Sequence, residues 1–308
     1  MKKVMLILLI ILINATSLWA QEDSTKVASQ NPSPMQEYTR PHEKIKQTEF
    51  PGKIFKINNL LWKPLEVFIP PKVNKSKKMD LLIHFHGGSS SPAKYAAEKY
   101  NKGPIVSAAV SLGSGSRIYY NQFNDSALFA RMIDSIQSGV TKLTGHKIEV
   151  KHIILSGFSA GYGAIKRILS YPVYYKQISG VILLDGIHTS YIPDRKVIFE
   201  GGKIDSAAFD IFLKLAMDAS DKRSDKKFLI THSEVFPGTF VSTTEATDYL
   251  IRQLHLKRKP VLKWGPFGMQ QISDIRNNNF RVMGFAGNSG PDHIDHFQSL
   301  YYFLNILE

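Results

Sequence analysis

The stretch Gly157-Phe158-Ser159-Ala160-Gly161, reached through the run 152–156 (His-Ile-Ile-Leu-Ser), constrains this chain more than any other. A short apolar run bounded by glycine reads as a buried strand, and the small-residue segment 160–170 that follows reads as a helix. A serine at such a corner is driven into a tight turn. Glycines two before and two after it remove the Cβ atoms that would clash there. The hydroxyl of Ser159 then stands off the sheet, and the backbone N–H of Ala160 points toward the same spot, which is the geometry a nucleophilic serine needs. The pentapeptide alone arises by chance in about one chain of this length in ten at ordinary residue usage. The flanking strand and helix therefore carry the reading against a plain glycine-rich turn with a solvated serine.

Short apolar runs alternate with amphipathic segments through the rest of the chain. Strands are predicted over 53–57, 65–69, 81–85, 105–111, 152–155, 181–184, 228–231 and 281–285. Helices are predicted over 125–143, 160–170, 206–219, 243–256 and 295–307. From residue 81 onward the two types alternate, which implies crossover connections and a mostly parallel sheet with helices on both faces. Only a proline-containing turn separates the first two strands, so these are expected to pair antiparallel. The result is an α/β arrangement of eight strands with the serine corner after the fifth.

Residues 1–20 read as a signal peptide: Lys2 and Lys3 form a basic start, 4–13 an apolar core, and Leu18-Trp19-Ala20 a small-residue exit. The apolar run is too short for a comfortable membrane span, so export with cleavage is expected, to a bacterial periplasm or the medium, without stable membrane insertion afterwards. Residues 21–47 are polar, carry Pro32, Pro34 and Pro41, and read as a tether without a fold of its own. The remainder, 48–308, fits one α/β domain. The absence of cysteine excludes disulfides, thiolate metal sites and lipid attachment through an N-terminal cysteine, and a chain of this size buries an ample core without them. The net charge is +13. Its clusters, such as Lys222, Arg223, Lys226 and Lys227, fall between apolar segments without interleaved aromatic residues. They read as solvated loops, and no nucleic-acid partner is expected.

From Gly52 to its end the chain resembles the α/β-hydrolase superfamily, and within it the secreted bacterial esterase-like serine hydrolases with little or no lid. Three matches carry the resemblance: strand 81–85 running into His86-Gly87-Gly88-Ser89, the glycine-flanked Ser159, and Asp292-His293 after the last strand. It implies Ser159 as nucleophile, His293 as general base, and an oxyanion hole formed by the backbone N–H groups of Gly88 and Ala160. His296, expected one turn inside the last helix, is the alternative base. The acid is Asp185, which closes the sixth strand, or Glu234, just beyond the seventh, where the family more often keeps it. The substrate implied is a small or polymer-attached ester, with no metal and no organic cofactor. Tyr162, Tyr191, Phe236 and Trp264 are candidate pocket walls, and His188 and His232 follow strand ends where they would line the same pocket.

Three rival readings share these residues. A serine peptidase uses the same fold and triad. A glycan- or peptide-binding module keeps the fold without the chemistry. A zinc hydrolase would gather His84 and His86 with Asp292, His293, Asp295 and His296, a set that lacks the spacing of a recognised zinc motif.

Overall fold

Alternation along the strands decides the layers. In strand Lys78–Phe85, Leu81, Ile83 and Phe85 enter one hydrophobic core while Leu82 enters another. Leu155, Val181, Leu183, Phe228 and Ile230 follow the first set, and Ile154, Ile182, Leu184 and Leu229 the second. A sheet apolar on both faces must be covered on both, and each fully buried large aliphatic side chain contributes about 1.5–3 kcal/mol.

The computed structural model describes residues 49–307; the predicted signal peptide (1–20) and tether (21–47) lie outside them. The strands are β1 (Lys53–Ile57), β2 (Leu65–Ile69), β3 (Lys78–Phe85), β4 (Ile105–Val110), β5 (Glu149–Phe158), β6 (Ile178–Leu184), β7 (Tyr191–Ile192), β8 (Lys203–Ile204), β9 (Lys227–His232), β10 (Lys259–Trp264), β11 (Gln270–Asn277) and β12 (Phe280–Phe285). The helices are α1 (Ser91–Lys99), α2 (Ser116–Gln122), α3 (Leu128–Thr144), α4 (Tyr162–Leu169), α5 (Pro172–Gln177), α6 (Asp210–Ser220), α7 (Thr243–Gln253), α8 (Gly290–Gln298) and α9 (Leu300–Ile306). One sheet runs in the order β1-β2-β4-β3-β5-β6-β9-β12-β11-β10, with β7 and β8 forming a separate small hairpin. The centre, from β4 to β12, is parallel, and β1 pairs antiparallel with β2 as expected. Helices α1, α8 and α9 cover one face, and α2 to α7 the other.

The expected eight strands become ten in the main sheet. Strands β10 and β11 extend it antiparallel beyond β12. Their sequence escapes notice because an edge has little to bury: five of the six β10 residues are exposed. The last helix is also different. The continuous helix expected over 295–307 is two, α8 starting at Gly290 and α9 at Leu300. Helices α1, α2 and α5 were not anticipated. Between β6 and β9 the chain makes only the β7–β8 hairpin, short turns and α6, so any lid is small. Among the described residues no helix is long and apolar enough to cross a membrane.

Three histidines are built into this framework. His84 Nδ1 lies 3.1 Å from Ser156 Oγ, His296 Nδ1 lies 2.7 Å from Thr231 Oγ1, and His232 Nε2 accepts from the Arg258 guanidinium at 2.9 Å. Burial holds all three neutral, pulling His84 down to about 3 and His232 and His296 to about 4. In the unfolded chain an imidazole takes its proton near 6.5. Between these limits the unfolded state binds more protons than the folded one, so stability falls as pH drops from 6.5 toward 4. Each histidine contributes at most about 1.4 kcal/mol per pH unit. Urea unfolding at pH 7, 6 and 5 is expected to show a steadily falling unfolding free energy. A flat profile across that window would mean these rings are charged in the native state.

Candidate active site

Strand β5 ends at Phe158, α4 begins at Tyr162, and a single 3₁₀ turn, Ser159–Gly161, joins them. Ser159 has φ 46°, in the left-handed region that costs a side-chain-bearing residue about 1–3 kcal/mol and persists only where its surroundings enforce it. Those surroundings are backbone. A Cβ on Gly161 would stand 2.2 Å from the Phe85 carbonyl oxygen, and one on Gly186 would stand 2.3 Å from the Ser159 carbonyl oxygen. The ends of β3, β5 and β6 therefore meet main chain to main chain, with the serine corner clamped between them.

On the β3 side the chain leaves Phe85 through left-handed backbone at His86 (φ 74°) and Gly88 (φ 69°). His86 holds this turn in place. Its N–H donates to the Val110 carbonyl at 2.9 Å, and its Nδ1 lies 2.9 Å from Tyr119 Oη and 3.1 Å from the Gly113 carbonyl. Burial lowers the His86 pKa, the Gly113 carbonyl opposes that shift, and His293 adds to it. Gly88 is exposed, with open space where a side chain would be.

The opposite wall is the first turn of α8. Ser289 caps it, accepting from the Asp292 N–H, while Asp292 Oδ2 accepts from the Ser289 N–H at 2.9 Å and hydroxyl at 2.6 Å. His293 thus sits inside the helix, not in a loop ahead of it. Its Nδ1 lies 2.7 Å from Asp185 Oδ2. With Nδ1–H donated there, Nε2 is left as the acceptor. The ring packs 4.5 Å from that of Phe158, the residue before Ser159. Phe158 also stacks on His86 at 5.9 Å and on Phe297 at 5.1 Å, so one aromatic ring touches both walls.

Asp185 follows β6 directly and is 4% exposed. Its Oδ1 accepts from the Ser233 N–H at 3.0 Å and its Oδ2 from the Ser233 hydroxyl at 2.5 Å. Burial alone would push its pKa up. The His293 hydrogen bond and charge outweigh this, with help from His296 and Ser233, and hold the carboxyl well below the usual range. Glu234, the alternative acid, is exposed, and among the described residues its hydrogen bond is that of its backbone N–H to the Gly287 carbonyl at 2.8 Å. His296, the alternative base, is fully buried between Phe285 and Phe303. The structure thus brings Asp185 and His293 together and leaves Glu234 and His296 out of that pairing.

Ser233 was not singled out by the sequence, although the position after β9 was. The register pairs Leu184 with Thr231, which sets residue 185 beside the end of β9. Of the other candidates, His188 is half-buried beside Tyr162 (5.6 Å between rings) and Phe240 (5.0 Å). Burial takes it down to about 4 against the pull of the Val241 carbonyl and of Asp185. Tyr191 belongs to the core, donating to Glu245 Oε2 at 2.7 Å, and Trp264 is 75% exposed on the edge strand β10. His232 is tied up with Arg258, and Phe236 packs on the larger core. Among the described residues no group of three or more histidines or carboxylates is arranged to hold a metal ion, so the zinc set is dispersed.

No protein-family model matches the chain, and no curated protein matches it in sequence. Solved structures are similar to it at low identity. An enterobactin esterase from Shigella flexneri superposes with a TM-score of 0.49 at 14% identity, over 91% of this chain and 60% of that one. An acetyl xylan esterase from Aspergillus awamori gives 0.43 at 12% identity, over 82% of this chain and 100% of the other. An S-formylglutathione hydrolase from Staphylococcus aureus gives 0.43 at 13%, over 84% and 98%. The chain's own topology defines its fold: a mostly parallel sheet covered on both faces, its serine corner after β5, with Ser159, Asp185 and His293 in that chain order, is the α/β-hydrolase fold.

Proposed function

We propose that this protein is an exported serine hydrolase that cleaves carboxylic esters, acyl groups on carbohydrate among them. The observation that carries the reading is the His293–Asp185–Ser233 chain of hydrogen bonds, centred on a buried carboxylate, beside a strained serine corner. A structural role alone would not require a partly exposed imidazole on an ionised, buried carboxylate.

In this reading Ser159 Oγ attacks the ester carbonyl carbon while its proton passes to His293 Nε2. Asp185 keeps the imidazole in the tautomer that accepts at Nε2 and stabilises the imidazolium that forms. The negative charge on the carbonyl oxygen is met by the N–H groups of Ala160 and Gly88, each worth about 2.7–4 kcal/mol by analogy with other oxyanion holes. The C–O bond to the alcohol then breaks, and His293 returns the proton to the leaving oxygen. Water, deprotonated by the same histidine, releases the acid from the acyl-enzyme. Every charge formed is met by backbone or by the triad, so the reaction is assigned no cofactor. Export rests on the signal-like residues 1–20.

A fluorophosphonate probe is expected to label the mature protein covalently, and Ser159→Ala is expected to abolish the label. Labelling that survives the substitution would remove Ser159 as nucleophile.

The acid is tested by charge removal at nearly constant shape. Asp185→Asn is expected to lower kcat by about 10⁴, the loss seen when a triad aspartate is neutralised elsewhere. Glu234→Gln should stay within a few-fold of wild type. Ser233→Ala deletes one of the donors to Asp185, a loss of about 1–3 kcal/mol, and is expected to cost kcat about ten- to a hundredfold. A collapse in Glu234→Gln with Asp185→Asn nearly intact would reassign the acid.

A further inference from the structure

Beside the serine corner, helices α2 and α4 enclose a cleft of about 450 Å³ lined by Ser116, Arg117, Tyr120, Asn121, Tyr162 and Lys166. The two helices pack closely: a Cβ on Gly163 would stand 2.2 Å from the Ser116 carbonyl oxygen, and Tyr162 Oη donates to Ser116 Oγ at 3.1 Å. One lining residue, Tyr162, adjoins the serine corner. It follows the turn Ser159–Gly161 directly, and its ring meets His188, which senses the charges of both Asp185 and His293. Lys166 lies one helical turn further on, roughly 10 Å along α4 from Ser159 at 1.5 Å per residue.

The lining is cationic. Among the described residues neither Arg117 nor Lys166 makes a hydrogen bond or an ion pair with a carboxylate. Half-burial lowers the Lys166 pKa, and Asp205 and Asp210 act against that, yet neither carboxylate lines the cleft. Two cations that form no salt bridge among the described residues, beside two tyrosine rings, a hydroxyl and an amide, make a lining suited to a ring that carries hydroxyls and one negative charge.

We propose that this cleft binds a carboxylated sugar, so that the substrate is an ester borne by an acidic glycan, its carboxylate at Arg117 and Lys166 and its acyl group at Ser159. The proposal rests on the hydrolase reading for its chemistry but not for its binding. A guanidinium takes a carboxylate through two parallel N–H donors, while the ammonium of Lys166 supplies a second, partly desolvated charge. Tyr120 and Tyr162 offer flat apolar faces to the sugar ring, and Ser116 and Asn121 offer partners to its hydroxyls.

The binding arm uses full-length Ser159→Ala protein, titrated calorimetrically with tri-galacturonate and with neutral galactotriose. The acidic trisaccharide is expected to bind at least tenfold tighter, with a preference that shrinks as salt rises from 50 to 300 mM. The double variant Arg117→Gln/Lys166→Gln is expected to bring the two ligands within twofold, and Lys166→Arg to retain most of the preference. Thermal melting of each variant reports folding. Equal binding of the two trisaccharides, a preference that survives the double variant, or tighter binding of a sulfated trisaccharide would each overturn the proposal. The kinetic arm compares kcat/KM for acetylated oligogalacturonide and acetylated xylo-oligosaccharide, expected to differ at least tenfold in favour of the former. Selective binding without turnover of any ester would sink the hydrolase reading and leave the carboxylate site standing, so the two failures are distinguishable.

Discussion

A carboxylate with almost no solvent contact organises this end of the molecule. Removing an ion from water costs several kcal/mol even after the protein relaxes around it, and Asp185 is 4% exposed. The cost is offset only if the oxygens are met, and they are met by residues far apart in the chain: Ser233 at the end of β9, through both its N–H and its hydroxyl, and His293 in the first turn of α8. Moving any one of these three segments leaves a buried charge short of a partner. The position of α8 against the sheet, and with it the imidazole, is therefore tied to the ends of two neighbouring parallel strands.

The serine corner depends on a second constraint of a different kind. Nothing hydrogen-bonded is needed to hold Ser159 at φ 46°; steric closeness does it, because Gly161 and Gly186 let the ends of β3 and β6 close in on the turn. One set of contacts is electrostatic and adjustable by a fraction of an ångström. The other is hard-core and is not. Phe158 links them, its ring lying between His86 on the glycine-loop side and His293 on the helix side. The unspecified position before the serine in Gly-x-Ser-x-Gly thus acts here as a spacer between the two walls.

The parts legible in the sequence were those written locally. The serine corner announces itself within ten residues, and the parallel centre of the sheet follows from apolar runs buried on both faces. Which of Asp185 and Glu234 meets His293 was not written locally, since it depends on which strand end faces α8, and the Leu184–Thr231 register that sets Asp185 there is a tertiary fact. Ser233 was hidden for the same reason, because a serine beside a candidate glutamate carries no mark of a carboxylate across the sheet. The start of α8 was legible and overlooked. Ser289-Gly290-Pro291-Asp292 looks like a turn, yet a serine with an acidic residue three on and a proline in the first turn is a helix N-terminus. Strand β10 lacked an apolar signature because an exposed edge does not need one, and β11, mostly half-buried beside it, gives the core only Ile275.

The histidines fall into two kinds of environment. His84, His232 and His296 each have a ring nitrogen engaged by a serine, an arginine or a threonine, and burial denies them charge. His188 is half-buried, with its Nδ1–H given to the Val241 carbonyl, and desolvation lowers its pKa as well. His293 differs in two respects at once: its Nδ1 faces an ionised carboxylate, and its side chain keeps 25% of its surface. A ring able to exchange protons with a substrate needs both, a partner that tolerates the imidazolium and an open second nitrogen. His293 and His296 stand three residues apart on one helix. The two differ because α8 turns the first toward the Asp185 oxygens and the second toward Phe285, Phe303 and the Thr231 hydroxyl, so the pitch of one helix decides which of them meets the carboxylate and keeps solvent contact.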